Sequence, residues 1–211
     1  MSIIISFDVG GTLIDYMPDN GILKELFDIC RCEYKYLEER YKMHFTTRQI
    51  SFFQFCSDVG LSTELVIEIL DMYYSAKEKC HVFDDAIYIL EYLKKSNIAS
   101  ITVSNSSYRN PFTLEAYGLD GYFEEQIHSY ETGYAKPMPE IYKYAEKKIN
   151  TKKDRLIHIG DSYVSDYLGA KKAGWGSILL LRKNQTRYSN HNVISTLYQI
   201  ERIVEEGQLV V

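Results

Sequence analysis

No stretch of this chain approaches the ~18 consecutive apolar residues that a membrane-spanning helix requires. Its first residues, "MSIIISFD", carry none of the positive charge that opens a signal peptide. Both absences predict a protein of the cytoplasm with no membrane partner. Excess positive charge is also missing, since 24 Lys and Arg stand against 29 Asp and Glu for a formal net charge of −5. Such a chain presents no basic field to a polyanion, so a small molecule is the expected partner and nucleic acid is not. The four cysteines, Cys30, Cys32, Cys56 and Cys80, show no CxxC spacing. That disfavours a thiolate metal site or a disulfide and predicts reduced, structural thiols. No internal repeat or low-complexity tract is present, and nothing in the sequence speaks to oligomeric state.

What is present suffices for a sizeable core: 211 residues, 45% of them hydrophobic and 25% charged. Short β-branched and aliphatic runs recur at 3–7, 98–104, 155–160 and 176–181, and each of the later ones follows a stretch of helical periodicity. This alternation predicts an α/β fold, a Rossmann-like parallel sheet with helices on both faces. Asp84 and Asp85 stand where they could cap the helix "AIYILEYLKK", and Pro139 opens "EIYKYAEKK" at a first-turn position. Residues 16–80 break the rhythm with three helical patterns in a row. They read as an all-helical insertion, leaving 1–15 and 81–211 as the α/β core. Gly60 marks a stop inside the insertion and Ser62-Thr63-Glu64 a helix entry. After Leu181 a polar run leads into "VISTLYQIERIVEE", whose spacing predicts a closing surface helix.

In an open parallel sheet, ligands bind beyond the carboxyl ends of the strands. The residues expected there are Asp8, Ser104 with Asn105, Lys136, Asp161 and Asp166. Carboxylates, a hydroxyl and a lysine gathered at one edge suit phosphoryl transfer: an acid attacks, a divalent ion bridges, and cationic and hydroxyl donors hold the equatorial oxygens.

The segments "FDVGGTL", "ITVSNSS", "AKPMPEIY" and "HIGDSYVSD" resemble, in this order, the four motifs of the haloacid dehalogenase-like hydrolase superfamily, with a helical cap inserted after the first. Together they span positions 3 to 182. The resemblance implies that Asp8 is the nucleophile, that Ser104 donates to the transferring group and that Lys136 neutralises charge between nucleophile and substrate. Thr12, Ser104, Asn105 and Lys136 are then the expected substrate contacts. Mg²⁺ would be held by Asp8, the backbone carbonyl of Gly10 and Asp161, with Asp166 in support.

One departure stands out. Phosphatases of that superfamily carry a second aspartate two residues after the nucleophile, as general acid and base, and here that residue is Gly10. Losing such a group typically costs about 10²- to 10⁴-fold in rate, so covalent chemistry is weakened rather than abolished. Three readings follow: a Mg²⁺-dependent phosphatase for a small phosphorylated metabolite, a hydrolase of carbon–halogen or carbon–phosphorus bonds, or an impaired relative that binds a phosphorylated ligand or a protein partner. The first is preferred. Lys24, Lys35 and Lys42 give no special signal for the Schiff base that carbon–phosphorus cleavage needs. The spacing of Phe52, Phe53, Phe55, Tyr73 and Tyr74 fits packing within the insertion better than a docking face.

Overall fold

The computed structural model describes residues 3–16, 46–58, 60–75, 80–108, 113–151, 156–182 and 192–207. The first helical pattern of the insertion, with Cys30, Cys32, Lys24, Lys35 and Lys42, lies outside them, as do the side chains of Phe52, Tyr73 and Tyr74.

The apolar N-terminal run forms β1 (Ile4–Phe7), buried at every position because helices cover both faces of the sheet. Two residues at β2 (Ile14–Asp15) precede the insertion. Within it, α1 (Phe52–Asp58) stops before Gly60, which holds φ +88, and α2 (Thr63–Ser75) starts after Ser62, whose hydroxyl accepts from Leu65 N–H at 3.4 Å. The chain returns in β3 (His81–Val82), antiparallel to β2 with Asp15 opposite His81. The intervening stretch therefore leaves and re-enters the fold at one place.

The core continues through α3 (Asp84–Lys95), β4 (Ser100–Ser104), β5 (Glu125–His128), the short α4 (Ser129–Thr132), α5 (Pro139–Lys148) and β6 (Leu156–Gly160). A π-helical turn over Tyr163–Leu168 runs into α6 (Gly169–Ala173), followed by β7 (Gly176–Leu180), β8 (Val193–Ile194) and α7 (Gln199–Glu205). The six-stranded sheet has the order β5-β4-β1-β6-β7-β8, and every neighbouring pair is parallel. The order reverses between β1 and β6, which is where such sheets open a crevice for ligands.

Alternation along β1 builds the two cores. Ile5 and Phe7 pack with Ala86, Ile89, Leu90 and Leu93 of α3 and Ile200 of α7 on one face. Ile4 packs with Val103, Ile141, Tyr142, Ala170 and Trp175 on the other. Among the described residues no helix is long and apolar enough to cross a membrane. Cys56 is buried and Cys80 partly buried, and neither forms a disulfide among the described residues.

Two local expectations are corrected, and one strand is present that the sequence pattern did not indicate. "VISTLYQIERIVEE" does not begin as a helix: Leu181 N–H donates to the Ile194 carbonyl, pulling Val193 and Ile194 into the sheet, and the helix starts at Gln199. β5 escapes the sequence pattern because it buries only Ile127, as an edge strand can. Asp85 does not cap α3, whose N-cap is Phe83. It is buried and accepts from Arg182 Nη1 and Nη2 (both 2.9 Å), Thr196 Oγ1 (2.7 Å) and Leu197 N–H (2.8 Å). Burial alone would raise its pKa, but the Arg182 guanidinium and the other donors hold it below the ordinary value. Asp85→Ala strands the partly buried Arg182 and is expected to cost about 3 kcal/mol or more, read from urea unfolding.

Candidate active site

β1, β4 and β6 are adjacent, so the residues that follow their carboxyl ends meet. Asp8 follows β1, Ser104 closes β4 and Asp161 follows β6. Lys136, on the loop before α5, is 5% exposed and joins them. Its Nζ donates to Asp8 Oδ1 and to Asp166 Oδ1, both at 2.6 Å. Asn105 lines the cavity, and its amide bonds the backbone of the lysine. Its Nδ2 donates to the Lys136 carbonyl (3.0 Å) and its Oδ1 accepts from Lys136 N–H (2.7 Å), so both ends of the amide position the lysine.

Behind the lysine runs a buried chain of bonds that the motifs did not reveal. Asp166 Oδ1 lies 3.1 Å from His158 Nε2, whose Nδ1 lies 2.9 Å from Ser6 Oγ. Burial pushes His158 below its ordinary pKa, leaving it neutral. An ionised carboxylate can only accept, so Nε2 carries the proton and Nδ1 accepts from the Ser6 hydroxyl. The second oxygen of Asp166 accepts from Ser162 N–H at 2.9 Å.

This wiring explains the titration behaviour of the three acids. Burial raises Asp166, but Lys136 and His158 outweigh it and hold the carboxyl well below its ordinary range. Asp8 is pushed up to about 7, chiefly by burial, with Lys136 opposing and Asp166 and Asp161 adding to the rise. Asp161 is pushed up to about 6 by desolvation and then by Asp166. Burial lowers Lys136, yet the two carboxylates outweigh it and its pKa stands above the ordinary value.

Oxygens of Asp8, Asp161 and Asp166 lie within 4.8 Å of one another. Three carboxylates facing one ammonium leave an excess of negative charge, and hard oxygen donors suit Mg²⁺. The turn after Asp8 is pinned by its own hydrogen bonds. Leu13 and Ile14 N–H donate to Val9, Gly11 N–H donates to Ile14, and Arg182 donates to the carbonyls of Gly11 (3.3 Å) and Thr12 (2.6 Å). None of these bonds uses the Gly10 carbonyl.

The two glycines have different reasons. Gly11 holds φ +73, and a Cβ there would collide with the Asp161 carboxylate, so both its backbone and its close approach require glycine. Gly10 is not in the left-handed region, but a Cβ on it would lie 2.8 and 2.9 Å from two carbons of the Tyr16 ring. The space into which a side chain at position 10 would grow is filled by an aromatic ring from position 16.

A cavity of about 440 Å³ opens here, with Asp8, Gly10, Ser104, Lys136 and Asp166 among its lining residues. Thr12 is not part of the lining. Its side chain is fully buried and its hydroxyl has no hydrogen-bond partner among the described residues, which does not support the substrate contact expected from the motif. The residues that sequence reasoning missed are Ser6, Gly11, Tyr16, His158 and Arg182. Only His158 carried a signal, a lone imidazole inside a buried strand three residues before Asp161.

Comparison with known proteins agrees with the motifs. The model of the haloacid dehalogenase-like hydrolase family matches residues 4–174. The Rhythmically expressed gene 2 protein of Drosophila melanogaster is 33% identical over 119 residues, covering 51% of this chain and 46% of that protein. The pyrimidine 5'-nucleotidase YjjG of Escherichia coli is 28% identical over 131 residues, 60% of this chain and 58% of that one. The chain thus spans about half the length of these curated relatives. Among solved structures, the HAD-hydrolase YfnB of Bacillus subtilis bound to magnesium superposes with a TM-score of 0.69 at 20% identity, covering 97% of this chain and 99% of that one.

Proposed function

Because the chain belongs to the haloacid dehalogenase-like hydrolases, we propose that it is a Mg²⁺-dependent phosphatase, acting on a small phosphorylated molecule through an aspartyl-phosphate on Asp8. The observation that carries this reading is the Lys136 ammonium, held at 2.6 Å from both Asp8 and Asp166 at the edge of a three-carboxylate cluster. A buried lysine so placed neutralises the nucleophile before attack and remains to hold the oxygens of the transferring group. Ser104 supplies a hydroxyl on the cavity wall for the same group. Asp8, the Gly10 carbonyl and Asp161 are the residues that would hold Mg²⁺, with Asp166 in support. Held by these residues, Mg²⁺ would supply Lewis-acid stabilisation of the charge that develops on the transferring group. The nucleotidase named among the relatives and the magnesium-bound neighbour support this class of reaction. The insertion, residues 16–80, serves as the cap over the core formed by 1–15 and 81–211.

A second reading has one observation in its favour. Carbon–halogen-cleaving members of the superfamily carry a bulky aromatic at the position of Gly10, and here the Tyr16 ring occupies that space. The acid cluster weighs against it, since displacing halide needs no cation site.

The test is calorimetric and kinetic. Mg²⁺ should bind with proton release, because Asp8 and Asp161 hold their protons up to about 7 and 6 in the metal-free protein. The sign follows from competition: below these values the ion must displace protons, so affinity should fall by about tenfold or more between about pH 8 and about pH 5.5. Acetyl phosphate should be hydrolysed with Mg²⁺ and not with EDTA. Metal-independent turnover, or pH-independent Mg²⁺ affinity, would count against the proposal.

A further inference from the structure

Besides Asp8, Ser104, Lys136 and Asp166, the cavity wall is made of hydroxyls, Ser106, Ser107 and Thr113 among them, and of Tyr16, Tyr108, Leu114, His128 and Tyr130. His128 and Tyr130 are stacked with centroids 5.3 Å apart and planes at 14°, and Tyr108 leans on Tyr130 at 5.7 Å and 60°. Ser106 Oγ lies 2.8 Å from His128 Nδ1 and fixes the imidazole in this array. Ser129 Oγ in turn accepts from Ser106 N–H (3.0 Å) and donates to the Thr46 carbonyl, so the wall is anchored to the core and to the insertion. Burial lowers the pKa of His128, which therefore presents a neutral ring. At about 440 Å³ the cavity is of the size that takes a small ligand and is much larger than one phosphoryl group.

We propose that this wall is the leaving-group subsite and that it accepts a flat, conjugated group, making the substrate a small aryl phosphate monoester. The inference rests on the phosphatase reading and adds the substrate class to it. Two independent observations meet here. Geometry supplies a packed group of aromatic rings in the lining, which favours a planar ring over a flexible polyol. Chemistry supplies no side-chain acid at Gly10, and the Tyr16 ring fills the space such an acid would take, so position 10 gives the leaving oxygen no carboxylic proton. An aryl oxygen tolerates this because the ring delocalises its charge. In the balanced step, an Asp8 oxygen forms a bond to phosphorus as the phosphorus–aryl oxygen bond breaks, and the electron pair stays on the phenolate, which takes a proton from water. Water then attacks the Asp8-bound phosphorus, releasing orthophosphate and regenerating the carboxylate.

Calorimetry with two non-hydrolysable ligands, 2-naphthylmethylphosphonate and methylphosphonate, in the presence of Mg²⁺, tests the subsite apart from turnover. The naphthyl ligand should bind about tenfold or more tightly than the methyl one. Tyr16→Leu and Tyr130→Leu should each shrink that ratio to about twofold or threefold, while Tyr130→Phe, which keeps the ring, should preserve it. A ratio near one in the wild type, or one unchanged in both Leu variants, overturns the inference. Acetyl phosphate, which has no ring, separates the two claims. Its Asp8-dependent hydrolysis without naphthyl preference removes only the aryl subsite. A naphthyl preference without Asp8-dependent turnover of either acetyl phosphate or phenyl phosphate removes the phosphatase reading and the leaving-group role with it, and leaves only an aromatic binding wall.

Discussion

Asp8→Asn is expected to bring hydrolysis of every phosphate ester to background, a loss on the order of 10⁴-fold or more, as removal of a covalent nucleophile does in other hydrolases. The protein should nonetheless be at least as stable as the wild type. Asp8 holds its proton up to about 7 because it is buried beside Asp166 and Asp161. A carboxyl whose pKa is raised on folding binds more protons in the native state than in the unfolded one between about pH 4 and about pH 7, so the metal-free wild type loses stability as pH rises through that window. An amide cannot ionise and escapes that loss. Above about pH 7 the metal-free variant should therefore melt higher than the wild type, by roughly 1–3 kcal/mol in unfolding free energy. Beryllium fluoride with Mg²⁺ should raise the melting temperature of the wild type and leave that of Asp8→Asn unmoved. A variant that is merely unfolded would melt lower. A variant that keeps activity in preparations free of other phosphatases would remove Asp8 from the chemistry.

Gly10→Asp is expected to fail alone and to succeed in company. The backbone at Gly10 is not in the left-handed region, so an aspartate meets no conformational barrier there. The obstacle is steric, because its Cβ would sit 2.8 Å from the Tyr16 ring, and an aromatic ring beside the β2 turn cannot yield as a long flexible chain would. The single variant should be destabilised by about 1–3 kcal/mol and gain little activity. Gly10→Asp combined with Tyr16→Ala removes the ring and places a carboxylate where phosphatases of this family keep their general acid. Hydrolysis of alkyl phosphates should then rise by up to about 10²-fold over Tyr16→Ala, and aryl phosphates should gain much less because their leaving groups need no acid. The two substitutions should be strongly non-additive in both stability and rate, as residues in contact are. An additive pair, or an equal gain on aryl and alkyl esters, would mean that Tyr16 does not govern this position.

The reading from sequence succeeded where the information was local. A β-branched run ending in an acid, a strand ending in Ser104 and Asn105, a lysine before Pro137 and the acids of "GDSYVSD" are each contained within a few residues. Parallel sheets deliver the ends of such segments to one edge whatever their sequence separation. The same locality explains the errors. Asp85 stands at the start of α3 and reads as a cap, but its four donors come from Arg182, Thr196 and Leu197, about a hundred residues away. Val193 and Ile194 follow helical spacing, and only the vacant edge of β7 drew them into the sheet.

By itself the sequence determined the α/β alternation, the family and the identity of the acids, the lysine and the serine, because strand pattern and motif spacing are properties of neighbouring residues. Tertiary structure alone decided how those groups behave. The register of β1 against β6 pairs Ser6 with His158 and so sets the tautomer behind Asp166. The path of the chain after β2 lays Tyr16 over Gly10, and the end of β7 brings Arg182 onto the carbonyls of Gly11 and Thr12. Such pairings follow from which strands become neighbours and how side chains fill the space between them, a contest among distant segments that no local pattern records.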